Sequence, residues 1–137
     1  MSAALALQKA VRGRLVASPA VLALVEAAQI VDRHGTPAAF PSILLGEDQE
    51  LDAEITFERR HVRVFSTLHV WDRSAGTTRA KAIAGAIRDA LHGVDLPLDA
   101  GRLLDLKHAS TRYLRDPDGQ TTHAVVTLEA LIQEPRP

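Results

Sequence analysis

The chain predicts an α+β domain, an antiparallel or at most mixed sheet with helices packed on one face. Three observations carry that reading. His61-Val-Arg-Val-Phe-Ser-Thr-Leu-His-Val-Trp-Asp-Arg73 alternates with a period of two and then gives way, within a few residues, to the 3.6-residue period of Arg79 to Leu91. That switch marks a long strand feeding a helix that packs back on the sheet. Arg102 to Arg115 and Thr121 to Gln133 are strand-like runs separated by Asp116-Pro-Asp-Gly119, a turn with proline and glycine where a turn wants them. The order α-α-β-β-β-α-β-β groups hairpin-connected strands with few helices, which favours an antiparallel sheet over a doubly wound one.

Taken in order, Ala4, Leu7, Val11 and Leu15 line one face of an opening helix that ends near Ala17, with Gln8, Lys9 and Arg12 on the other. Ser18-Pro19 starts a second, short helix, serine as N-cap and proline at the first turn. Gln29 to Arg33 reads as a short strand, His34-Gly-Thr-Pro as a turn, and Phe40 to Gly46 as a strand with Pro41 held to its start or an edge. Glu47 to Glu54 holds five carboxylates in eight positions, and repulsion at that density predicts a solvated loop. Ala80, Ile83, Ala84, Ile87 and Leu91 form the buried stripe of the later helix, with Thr77 as N-cap and Gly93 as its stop.

Length and charge bound the rest. A chain of 137 residues suits one domain, 1–137, with one core. Its net charge of −1 lacks the basic excess of a general nucleic-acid binder. It has no cysteine, hence no disulfide framework and no thiolate metal site. No apolar run approaches a bilayer span, and Lys9, Arg12 and Arg14 interrupt the apolar N-terminus too early for a signal segment.

Catalytic and cofactor signatures are missing. The six histidines include no pair at the i, i+4 spacing of a helical zinc site. His61 and His69 share a strand face but stand roughly 26 Å apart. No serine sits in a G-x-S-x-G elbow, and neither phosphate-binding glycine motif occurs. Asp95, Asp99 and Asp105 near His108 make a base-and-acid combination that any chain of this length offers by chance. No cofactor is expected. Trp71 is expected to pack where the long strand meets the helix, and Gly85 to allow close packing of that helix on the sheet. Pro117 and Gly119 shape the late turn.

The sheet suggests association instead. The long strand carries large apolar groups on both faces, Val62, Val64, Leu68 and Val70 against Phe65 and Trp71. Helices of a small domain cover one face, so the other keeps surplus apolar surface, which usually marks an interface. The late hairpin is read the same way, with Leu103 and Tyr113 on one side and Leu104, Leu106 and Leu114 on the other. Acidic Glu47, Asp48, Glu50, Asp52 and Glu54, with Arg59 and Arg60 beside them, are the candidate interface or channel loop, expected to project as a mobile arm.

Several segments together resemble a known family. Leu68-His-Val-Trp-Asp-Arg73, Ala80-Lys-Ala-Ile-Ala and Ile87-Arg-Asp-Ala-Leu91 are similar to the tail completion, or tail terminator, proteins of long-tailed phages. So are Ala4-Leu-Ala-Leu-Gln-Lys-Ala-Val-Arg, Phe40-Pro-Ser-Ile-Leu-Leu-Gly-Glu-Asp48 and Tyr113-Leu-Arg-Asp-Pro-Asp-Gly-Gln-Thr-Thr-His123. The likeness extends to the version in alphaproteobacterial gene transfer agents. It implies a non-enzymatic structural protein, a homo-hexameric ring capping the head-proximal end of the tail tube. The partners implied are other copies of the chain, the tail tube protein and a head–tail connector or stopper protein. DNA would be present only in transit through the ring, and no membrane would be involved. The implied location is the neck of a phage-like particle assembled in the bacterial cytoplasm. The alternatives are another neck or connector protein, or a small α+β binding module or enzyme unrelated to tails.

Overall fold

The computed structural model describes residues 1–136. Helix α1 spans Ala3–Val16 and α2 Pro19–Leu22; a 3-10 turn, Ala27–Gln29, leads into β1, Ile30–Asp32. Strands β2, Ser42–Asp52, and β3, His61–Arg73, form a hairpin; α3, Thr78–Leu91, follows, and then the hairpin of β4, Arg102–Arg115, and β5, Thr121–Gln133. The element order matches the expected one. The sheet order is β1-β2-β3-β5-β4, and only β1 runs parallel to its neighbour, so the sheet is mixed.

Local chemistry explains the helix ends. Ser2 Oγ accepts from the Leu5 amide and Ser18 Oγ from that of Val21, each satisfying one donor the helix cannot. Thr77 precedes α3 without a side-chain capping bond. Gly93, at φ +68°, turns the chain out of α3, and its amide donates to the Leu106 carbonyl of β4. In the late turn, Gly119 has φ +75° and donates to the Asp116 carbonyl, while Asp118 accepts from the Gln120 and Thr121 amides.

One face of the sheet is covered. Val64, Leu68 and Val70 of β3 and Ala124, Val126, Leu128, Ala130 and Ile132 of β5 point to α1 and α3. They meet Leu7, Val11 and Leu15 from α1 and Ile83, Ile87 and Leu91 from α3. The strand-to-helix corner is pinned by Asp72, fully buried, whose carboxylate accepts from Arg79 Nε at 2.6 Å and from Ser74 Oγ at 2.6 Å. A buried carboxylate persists only with such partners.

Four expectations are corrected. Glu47, Asp48, Glu50 and Asp52 lie in the second half of β2, not in a loop, and only residues 53–60 connect it to β3. Backbone pairing with β3 outweighs their repulsion because every residue from Glu47 to Asp52 is exposed to water, which screens the charges. Trp71 is on the face opposite the helices, since the helix-facing positions of β3 are the even ones. Gly85 lies on the solvent side of α3, where an added Cβ would meet nothing within 4 Å, so it makes no close approach to the sheet. In β4, register shifts between Leu103 and Asp105 and between His108 and Ser110 break the alternation. Leu103, Leu106 and Tyr113 therefore share the helical side while Leu114 points the other way.

Two glycines should respond oppositely to alanine. Gly85→Ala should raise stability by about 0.5–1 kcal/mol, because a helix interior favours alanine and space is free. Gly101→Ala should lower the melting temperature markedly: its φ is +84° and a Cβ would stand 2.6 Å from the Gln133 carbonyl oxygen. Thermal denaturation of both variants checks the pair, and equal shifts would contradict it.

Candidate functional site

The helix-free face and the acidic half of β2 meet at one place. A bulge between Gly46 and Asp48 lets Glu47 swing over the sheet, where both its carboxylate oxygens lie 2.9 Å from His69 Nε2. His69 Nδ1 is 2.7 Å from His123 Nε2, and the Trp71 ring stacks on His123 at 4.0 Å with the planes 8° apart. Protonated Nε2 on His69 donates to Glu47, so its Nδ1 accepts from His123 Nε2–H. Burial first, and the adjacent His69 second, push the His123 pKa below the ordinary histidine value. Trp71 Nε1 is buried without a hydrogen-bond partner. The hollow beside this chain of rings has a volume of about 420 Å³ and is lined also by Asp32, Arg33, His34 and Asp48.

The other acidic residues have separate work. Asp48 lies opposite Ser66 in the register; partial burial of its carboxyl group raises its pKa, against the hydrogen bond with Ser66. Glu50 Oε1 accepts from the Ala4 amide at 2.8 Å, so a strand residue caps the first turn of α1. Asp52 Oδ2 accepts from the Glu54 amide and from Arg59 Nη1 at 2.9 Å. Arg60 bonds Glu58 and the Glu134 carbonyl. Glu54 and Arg59 both adopt positive φ, 58° and 57°, and the bonds of Asp52 hold that conformation. The connector is a hairpin tip whose two positive-φ residues are bracketed by the bonds of Asp52. At its end Phe57 is 99% exposed and Ile55 55%.

The sequence reading found the acidic stretch, Arg59, Arg60 and Trp71 but not the link from Glu47 through His69 to His123. His69 and Trp71 share strand parity, which was visible. The pairing of Trp71 with His123 depends on β5 lying beside β3, with α3 and β4 between them in the chain. Phe57 was missed although it stands alone as an aromatic in the polar run Glu54 to Arg60.

An uncovered sheet face with exposed apolar side chains at its margins suits an assembly component, and comparison with known proteins gives the kind. A chain from a solved structure, the virion of a native gene transfer agent (GTA) particle, superposes with a TM-score of 0.82 at 29% identity, covering 96% of this chain and 98% of that one. The family model of the tail completion protein gp17 matches residues 9–133, and the chain belongs to that family. It is a structural protein of the tail or neck of a phage-like particle. No curated protein matches the chain.

Two solution measurements probe the stacked rings. His123 has a lowered pKa in the fold, so the unfolded chain binds the extra proton first; stability is full above about pH 6.5 and declines as pH falls below it. His108, lowered by burial and Arg88, acts in the same direction. Denaturant titrations from pH 7.5 to 5 should show this decline, with a shallower slope in His123→Gln. Trp71→Ala should cost less than Leu68→Ala, since Trp71 is half-buried on an open face and Leu68 is 1% exposed in the core. Chemical denaturation ranks the two, and the reverse order would place Trp71 in a core role.

Proposed function

We propose that the chain forms a hexameric ring that caps the head-proximal end of a tail tube, stops its growth and meets the head connector, with DNA passing through the ring. The observation that supports this most directly is the full-length likeness to a virion chain, combined with a sheet whose second face no helix covers. Phe65, Trp71, Val125 and Leu131 lie on that face only half-buried, so a lone monomer leaves part of their apolar surface in water. A compact chain of this length is roughly 37 Å across, and six in a closed ring enclose a hole about one subunit wide. Head-to-tail closure requires two different patches on each copy.

The role is non-enzymatic. What supports this is the match to a family of tail completion proteins; the acid–histidine pair Glu47–His69 ends on a histidine stacked against tryptophan. The exposed acidic residues of β2, with Arg59 and Arg60, serve an interface, where complementary charge sets orientation and register more than affinity.

Imaging of intact particles with the chain located tests the reading. Six copies around the tail axis between tube and connector are expected, and a deletion strain should yield capsids and tails that stay unjoined. Copies found only as decoration off the axis would falsify it.

A further inference from the structure

The two margins of the sheet are each half closed, and the open halves differ in charge. Strand β1 pairs with β2 only at Ile43, Leu44 and Leu45, so among the described residues the outer edge of β2 from Gly46 to Asp52 has no strand partner. At the other margin, the corner after α3 covers the middle of β4: Gly93 donates to the Leu106 carbonyl, and the His108 amide donates to His92 Nδ1. The edge of β4 from Ala109 to Arg115 is left uncovered. The open segments are each about seven residues long. One carries Glu47, Asp48, Glu50 and Asp52; the other carries Arg112 and Arg115. Glu47 to Arg60 contains six carboxylates and two arginines, net −4, on a chain of net −1, so the remaining residues sum to +3. Of the nine exposed large apolar residues, Leu51, Ile55, Phe57, Leu104, Tyr113 and Leu114 sit on these two strands or on the hairpin tip.

We infer that the open edge of β2 in one copy pairs with the open edge of β4 in the next, so that neighbouring sheets join into one. The inference rests on the ring reading and specifies its contact. Rotation about a ring axis preserves strand direction. Because β4 runs parallel to β3 and β2 antiparallel to it, the join is antiparallel.

The stagger fits a closed sheet. Gln49, midway along the open part of β2, pairs with Phe65; Arg112, midway along that of β4, pairs with Val125, which pairs with His69. The two midpoints thus differ by four positions on β3, roughly 13 Å. Four inter-strand steps lead from one β2 to the next, about 19 Å. The ratio is a strand tilt of about 35°, within the range of closed barrels. Four strands from each of six copies at that tilt give a ring about 45 Å across at the backbone, wider than a DNA duplex.

Setting Gln49 opposite Arg112 also places like faces together. Both lie on the helix-free side, while Asp48 and Tyr113 meet on the helical side. Leu51 then lies opposite Ser110, and the tip with Ile55 and Phe57 reaches toward the exposed Leu104 of the neighbour. Strand addition of this kind takes affinity from backbone bonds and selectivity from alternate side chains.

The native chain lacks cysteine, so engineered pairs report cleanly. Gln49→Cys combined with Arg112→Cys, with Ser110→Cys and Leu114→Cys as register alternatives, is placed in otherwise unmodified particles and oxidised. A disulfide ladder reaching six copies, seen only when both margins carry a cysteine, is expected. Ladders from either single variant, or no ladder from any pair in particles whose images show an intact ring, would overturn the edge pairing and leave the ring standing. Particles without a ring would overturn both. Charge exchange gives a second reading. Glu47→Lys with Asp48→Lys, or Arg112→Glu with Arg115→Glu, should each abolish ring assembly in chains that still melt cooperatively, and all four together should restore it. Assembly indifferent to the exchanges rules the pairing out.

Discussion

Strand β3 is the constraint from which the rest follows. All thirteen of its residues pair with β5, and ten pair with β2, so like β5 it has partners along nearly its whole length on both sides. Its even positions are committed to the core beneath α1 and α3. A register slip of one residue would move that entire set to the other face, so the helices fix the register and the register fixes what the open face displays. Asp72 closes the arrangement. It is the last buried position of β3, and its bonds to Ser74 and Arg79 aim the chain from strand into α3.

Fixed register gives polar groups on the open face a geometry that sequence distance hides. His69 and His123 are 54 positions apart yet share a 2.7 Å contact because β3 and β5 are neighbours. The bulge at Gly46 brings Glu47 to the same point. The pair in turn shields Trp71, whose ring is covered by His123 instead of by a helix. Ring stacking and one acid–imidazole bond thus cover part of a face that no helix reaches.

Most of the fold was legible because its signals are local. The alternation of His61 to Arg73, the stripe Ala80 to Leu91, the cap at Ser18, and the turn at Asp116 to Gly119 each depend on contacts within a few residues. The errors share another origin. Charge density alone argued that Glu47 to Glu54 forms a loop, but the pairing of Asp48 to Asp52 with β3 is a long-range gain that no local window contains. The bulges in β4 were invisible for the same reason, since alternation is read by counting and a bulge is an extra count. The expected packing of Trp71 where the strand meets the helix fails on parity: it shares the face of Phe65 and His69, not that of Val70. Parallel pairing of β1 likewise follows from where the 3-10 turn delivers the chain, not from the three residues of the strand. Of the site, the charged residues were found and their separate tasks were not. Glu50 caps a helix 46 positions away, and Asp52 braces a tip whose strained residues, Glu54 and Arg59, carry no glycine to announce them.

An open strand edge invites indiscriminate pairing, and folded proteins suppress it with charge, bulges or cover. This sheet uses all three. β1 covers half of one margin, and the corner after α3 covers the middle of the other. Bulges interrupt both β2 and β4. What stays open is acidic on one side and basic on the other. Two acidic edges repel one another, as do two basic ones, so face-to-face dimers that bury like margins are disfavoured while the head-to-tail contact is not. The charges that argued for a solvated loop thus have a physical reason to sit on a strand. Under the edge pairing inferred above, they would keep a free edge in water until an edge of opposite sign arrives and would select its direction.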